Sequence, residues 1–188
     1  MDIGRIKKIF DNKEPSFVED FKEFSVVVPL IEINNKLHIL FEVRSYNLSQ
    51  PGEVSLPGGQ IEENEDKYLA GLRELEEEIG INLSKVKKIA QLDYFATPFN
   101  FVIYPFLIYI ESFKEEDMKI NRDEVEEVFF VPLEFFIKTE PLKYKVNVRM
   151  DPPDDYPYHL IPDGKNYNWR NGYYKTYFYL YKDKIIWD

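Results

Sequence analysis

Residues 73–80 read Arg-Glu-Leu-Glu-Glu-Glu-Ile-Gly, with Glu74, Glu76, Glu77 and Glu78 crowded into five positions ahead of Gly80. Helical periodicity runs from about Glu65 to Ile79, and glycine is a stop signal. On a wheel of about 100° per residue, Tyr68, Leu69, Leu72, Leu75 and Ile79 share an arc of roughly 120°, the expected core stripe. Glu74, Glu77 and Glu78 fall on the roughly opposite side. Ala70 and Gly71 lie one turn earlier there, small enough to let something approach the helix. Glu76 sits near the edge of the apolar arc, apart from the other three. Like charges at i,i+3 and i,i+4 destabilise a helix by about 0.2–0.5 kcal/mol per pair. Anions in the last turn oppose the helix dipole by about 0.3–1 kcal/mol each. A divalent cation converts that repulsion into coordination, and Mg²⁺ takes carboxylate oxygens while keeping room for water and phosphates. A solvated acidic helix face has the same composition, so the residues around the turn must discriminate.

The elements that position these carboxylates are legible in outline. Residues 25–33 and 36–43 are β-rich runs joined at Asn34-Asn35, a hairpin signal. Pro29 inside the first run favours an edge strand or a bulge. Residues 51–59, PGEVSLPGG, read as a tight loop and short strand. Residues 88–98 and 101–110 form a second strand pair. Residues 125–133 read as a strand leading into a Pro-started helix, 132–138. TYFYLY and KIIWD close the chain as strands or a hairpin. Ile3, Ile6 and Ile9 suggest a short amphipathic helix at the start. Mixed β and α elements in this order predict an α/β or α+β sandwich.

Composition excludes several function classes. The chain has 188 residues, a net charge of −10 and no cysteine. Without a basic face a general nucleic-acid binder is disfavoured. Without cysteine there is no thiolate metal site or cysteine nucleophile. No apolar run approaches the length of a membrane span, and MDIGRIKKIF is too charged for a signal peptide. A cytoplasmic protein is expected. Residues 1–139 carry a net charge of −11, whereas residues 140–188 carry +1 and 12 of the 31 aromatics. That Tyr-rich tail could stack on a base, form a homodimer surface or pack in a small core. His38 and His159 have no evident nucleophile or ligand partner nearby in sequence and read as structural. Residues 151–168 read as an extended loop.

Counting from Gly59, the chain runs glycine, five residues, Glu65, seven residues, then Arg73-Glu74-aliphatic-x-Glu77-Glu78-x-Gly80-aliphatic. This resembles the Nudix box of the Nudix hydrolases, with Leu75 and Ile81 at the aliphatic positions. The resemblance implies a single domain over residues 1–188, built as a loop–helix–loop on a mixed sheet between helices. It implies hydrolysis of a small nucleoside diphosphate derivative. It also implies Mg²⁺ or Mn²⁺ held by Glu74, Glu77 and Glu78, with the Gly58 carbonyl as a further ligand. Glu65 would assist the metal shell, and Arg73 would brace a glutamate. Glu74 is the first choice of general base. A carboxylate outside the box, from Glu124, Glu126 or Glu127, is the rival.

A narrower resemblance covers residues 39–59. ILFEVRSYNLSQPGEVSLPGG is similar to the segment that marks coenzyme A pyrophosphatases within the superfamily, through Arg44, Ser45, Gly52, Val54, Pro57, Gly58 and Gly59. Leu56 replaces an aromatic, and Ser49 or Gln50 stands where an arginine is expected. Arg44, Ser45 and Gly59 are accordingly expected to contact substrate. Cleavage of coenzyme A would yield 3′,5′-ADP and 4′-phosphopantetheine. Pro98, 17 residues after the box, keeps an ADP-ribose hydrolase as the alternative. A non-catalytic nucleotide sensor on the same fold is the second alternative.

Overall fold

A computed structural model of the chain describes residues 2–13, 17–18 and 21–187. The order of elements is α1 (Ile3–Phe10), β1 (Lys22–Ile33), β2 (Lys36–Arg44), β3 (Val54–Ser55), β4 (Gly58–Gln60) and α2 (Lys67–Ile79). Then come β5 (Val86–Gln91), β6 (Phe95–Ala96), β7 (Phe101–Ile110), β8 (Val125–Pro132) and α3 (Leu133–Lys138). β9 (Leu142–Val148), β10 (Gly172–Tyr181) and β11 (Lys184–Trp187) close the chain.

Asn34 and Asn35 both take positive φ, 51° and 58°, the geometry of a two-residue turn matched to strand twist. They fold β1 onto β2 in the expected hairpin. Strands β3-β2-β1-β7-β5 follow one another in the large sheet, with β8 on β2, β4 on β1 and β6 on β7. β1 and β7 run parallel and their neighbours antiparallel, so the sheet is mixed, as the order of elements suggested.

Pro29 departs from expectation. β1 is interior rather than an edge. Pro29 falls where β1 changes partner on one side, from β4 at Phe24–Val26 to β2 at Leu30–Ile33. A residue without an N–H is tolerated at that gap.

One face of the sheet carries the core. Val27, Ile31, Leu40, Val102, Phe106 and Ile108 meet Leu72, Leu75 and Ile79 of α2 there. On the other face Phe41 packs on Phe129 and Phe136, which brings α3 against β2. The tail adds a separate antiparallel sheet, β11-β10-β9. It docks through Tyr179 and Tyr181 on Phe135 and Phe136 of α3, so part of the Tyr-rich tail is ordinary packing. α1 forms where periodicity placed it, capped by the Asp2 side chain, but Ile3, Ile6, Ile9 and Phe10 stay exposed. Among the described residues no helix is long and apolar enough to cross a membrane.

α2 starts two residues later than periodicity indicated. The Asp66 carboxylate accepts the N–H groups of Tyr68 and Leu69 and so fixes the first turn at Lys67. It ends at Gly80, whose φ of 73° suits glycine at a helix C-terminus. The buried face is rotated relative to the expected stripe. Leu69 is 57% exposed, while Ala70, Gly71 and Glu78 are buried. What approaches the small residues is strand β1: a Cβ at Gly71 would lie 2.7 Å from Ser25 Oγ and 3.0 Å from Val27 Cγ1.

Candidate active site

The loop ahead of α2 and the loop after β7 set the site. Gly58 and Gly59 run beneath the helix in β4, paired with Val26 and Ser25. A Cβ on Gly59 would lie 2.3 Å from Glu74 Oε1, and one on Gly58 would lie 2.3 Å from the Ser25 carbonyl oxygen. Only glycine lets this backbone reach the carboxylates. The Gly58 N–H donates to Glu78 Oε2 at 3.1 Å. At the helix C-terminus, Ile79 and Glu78 carbonyls accept from the N–H groups of Lys119 and Asn121. These bonds satisfy orphan carbonyls and bring in the turn before β8 that carries Glu124. The Glu124 carbonyl in turn accepts the Ser45 N–H at 2.8 Å.

Arg73 organises the exposed side. Its guanidinium donates to Glu65 Oε1 (2.9 Å) and Oε2 (3.3 Å), Glu74 Oε1 (2.7 Å), Glu77 Oε2 (3.2 Å) and the Gln60 carbonyl (3.2 Å). These bonds, above all that to Glu65, raise the guanidinium's hold on its proton further. They hold the Glu65 carboxyl below the usual range. Glu65 is thus a partner of Arg73 and of the Glu62 N–H, and it braces the guanidinium. Glu76 is exposed and enters none of these bonds.

The inner side is different. Glu78 is 5% exposed and Glu42, on β2, is 1% exposed. Burial pushes both carboxyls up, and each is held there by facing carboxylates: Glu42 and Glu74 at Glu78, Glu124 and Glu74 at Glu42. Burial also raises Glu74, against the pull of Arg73. Glu42 Oε1 accepts from Ser55 Oγ at 3.0 Å. Glu42 Oε2 and Ser25 Oγ are buried without a hydrogen-bond partner among the described residues.

The expected site residues therefore separate. Glu74, Glu78, the Gly58–Gly59 backbone and Glu124 come together, with Glu77 at the Arg73 edge. Glu127 does not join them, because its carboxylate is bonded to Lys184 of β11. Ser45 is buried; its hydroxyl accepts the Asn47 N–H, and its own backbone N–H donates to the Glu124 carbonyl. Arg44 donates through Nε to the Ser49 carbonyl at 3.2 Å. Sequence reasoning missed Glu42; its signal was a lone charge inside the apolar run ILFEV. Among the described residues no three acidic or histidine side chains converge closely enough to hold an ion as they stand. The donor chemistry still fits one: buried carboxylates short of positive partners, one oxygen unpaired, and glycines that keep the space open.

On the face of the sheet opposite α2 lies a cavity of about 630 Å³. Arg44, Gln50, Val54, Ser55 and Leu56 form one wall. Phe41, Phe136, Tyr177, Tyr179, Ile186 and Trp187 supply aromatic and apolar walls. Ser55 belongs both to this wall and to the Glu42 hydrogen bond.

Comparison with known proteins gives these features a family. The NUDIX domain family matches residues 23–150. A peroxisomal coenzyme A diphosphatase of Mus musculus is 36% identical over 118 residues, covering 61% of this chain and 49% of that protein. A mitochondrial coenzyme A diphosphatase of Homo sapiens is 28% identical over 123 residues, covering 64% of this chain and 52% of that protein. The chain thus spans about half the length of these relatives. In fold it is similar to a solved Ap4A hydrolase of C. elegans, with a TM-score of 0.51 at 20% identity, over 62% of this chain and 84% of that one. With the glycine loop, Arg73 and the α2 glutamates all inside the matched region, the chain belongs to the NUDIX domain family.

Proposed function

We propose that the chain is a pyrophosphohydrolase that cleaves coenzyme A or its derivatives to 3′,5′-ADP and 4′-phosphopantetheine. One observation supports the substrate reading: the segment that resembles coenzyme A pyrophosphatases, residues 39–59, forms one wall of the cavity and through Ser55 also bonds to Glu42. The relatives named for coenzyme A support it.

Hydrolases of this family generally use divalent cations. Glu74, Glu77, Glu78 and the Gly58 carbonyl would hold Mg²⁺ or Mn²⁺, which polarises phosphoryl oxygens and activates a bound water. The chain's own groups do the rest. Glu74 is raised by burial and suits the role of general base, since a carboxylate with higher proton affinity takes a water proton more readily. Arg73 fixes the carboxylates of Glu74 and Glu77 and keeps Glu65 with it. Arg44, oriented by Ser49, offers its remaining donors to a phosphate. Gln50 lines the cavity where a second cation was expected, so that contact is a neutral one. The aromatic walls shield the non-reacting part of the substrate from water.

Coenzyme A, ADP-ribose and a dinucleoside polyphosphate, each with Mg²⁺ and with Mn²⁺ in ¹⁸O-water, separate the readings by mass analysis of products. Cleavage of coenzyme A with one ¹⁸O in a phosphate product is expected. Intact coenzyme A beside cleaved ADP-ribose reverses the substrate assignment. Binding of all three without cleavage leaves the sensor reading.

A further inference from the structure

We infer that Glu42, on β2 and outside the α2 motif, is an additional donor to the divalent cation held at the α2 carboxylates. The inference rests on reading that cluster as a cation site. Leu40 and Glu42 point to the same face of β2, because side chains alternate along a strand. Leu40 packs in the core with Leu75 and Ile79. Glu42 therefore projects two residues further along the face that α2 covers, where Glu78 is also buried. A carboxylate 1% exposed must find partners inside the protein. Ser55 Oγ serves Oε1 at 3.0 Å, and Oε2 has no partner among the described residues. The charge of Arg44 acts on it, yet the Arg44 Nε bond goes to the Ser49 carbonyl.

A core glutamate kept for packing would have both oxygens satisfied, or would be replaced by an apolar residue at little loss. A donor needs one oxygen anchored and the other free beside further carboxylates. Glu42 has that arrangement, and its position on a strand rather than on the motif helix gives the ion a ligand from a second, rigid element.

Mn²⁺ binding by titration calorimetry and electron paramagnetic resonance tests this without turnover. Glu42→Gln is expected to weaken Mn²⁺ by about 10–100-fold, the range seen when groups that tune a metal site are changed. In chelator its melting temperature should stay at or rise above wild type, because a buried charge has been removed. Ser55→Ala, which frees Oε1 but keeps the carboxylate, should weaken Mn²⁺ less. Glu76→Gln should bind as wild type does. Wild-type affinity in Glu42→Gln while Glu78→Gln loses Mn²⁺ overturns the donor role. So does a lower melting temperature of Glu42→Gln in chelator with unchanged affinity. If Glu42→Gln does not fold, Ser55→Ala decides: reduced affinity supports the donor, and unchanged affinity overturns it. Wild-type affinity in Glu78→Gln as well would instead sink the cation reading of the whole cluster.

Discussion

α2 and the C-terminal sheet lie on opposite faces of the large sheet, and they meet the two halves of the proposed chemistry by different means. α2 concentrates its contribution in one stretch: Arg73, Glu74, Glu77 and Glu78 share a helix, and their geometry follows from a 3.6-residue turn. The aromatic cavity is dispersed. Phe41 comes from β2, Phe136 from α3, Tyr177 and Tyr179 from β10, and Trp187 from β11. Charge stabilisation at a reacting phosphorus needs fixed donors at short range, which one helix and one glycine loop can supply. Recognition of a large, partly apolar substrate needs enclosing walls, which only several elements together provide.

Loss of one inner carboxylate should give the largest effect and leave substrate binding nearly intact. Glu78→Gln is expected to lower kcat on the order of 10²–10³-fold, since metal-assisted stabilisation is worth several kcal/mol. Steady-state kinetics on the folded variant check this; a KM change with kcat preserved would move Glu78 to the recognition side of the comparison.

Gly71→Ala probes how α2 is seated. Helix propensity alone favours alanine by about 1 kcal/mol. The structure reverses the sign, because the methyl would meet Ser25 Oγ at 2.7 Å and Val27 Cγ1 at 3.0 Å. A loss of about 1–3 kcal/mol on denaturant unfolding is expected from overpacking.

Trp187→Ala tests the dispersed wall. Trp187 stacks on Phe178 with ring centroids 5.6 Å apart and lines the cavity. KM for coenzyme A should rise about 10-fold with kcat little changed, the pattern of lost uniform binding. An equal loss in kcat would show that the wall also positions the reacting phosphate.

The smallest effect is on pH. Glu78 and Glu42 have folded-state proton affinities above the ordinary carboxylate value of 4.5. The folded chain therefore keeps protons that the unfolded chain releases, and metal-free stability falls as pH rises through and above that value. Melting temperatures in chelator across mildly acidic to mildly alkaline buffer should decline less in Glu78→Gln than in wild type, and less in wild type with Mg²⁺.

Much of the motif was legible because its constraints are local. Gly59, Glu65, Arg73 and the glutamates are tied by fixed spacing along one loop and one helix, and the first strand pair announced itself by β-rich runs joined at Asn34-Asn35. Glu76 stood apart on the wheel and stands apart in space. Other parts were not legible. Leu69 belonged to the apolar arc and is exposed, because β1 and β4 claimed the Gly71–Glu78 flank of α2. No spacing in the chain announced that the Ser45 N–H would bond the Glu124 carbonyl or that Glu127 would bond Lys184.

By itself the sequence determined which residues are chemically equipped and which of them share a helix, since periodicity and spacing act within a few residues. Only the tertiary structure decided that Glu42 joins Glu78, that β1 fills the space at Gly71, and that Tyr179 and Trp187 face Arg44 across a cavity. Those relations depend on which strands pair and which faces pack. Residues far apart in the chain then meet through burial and register, which no local pattern encodes.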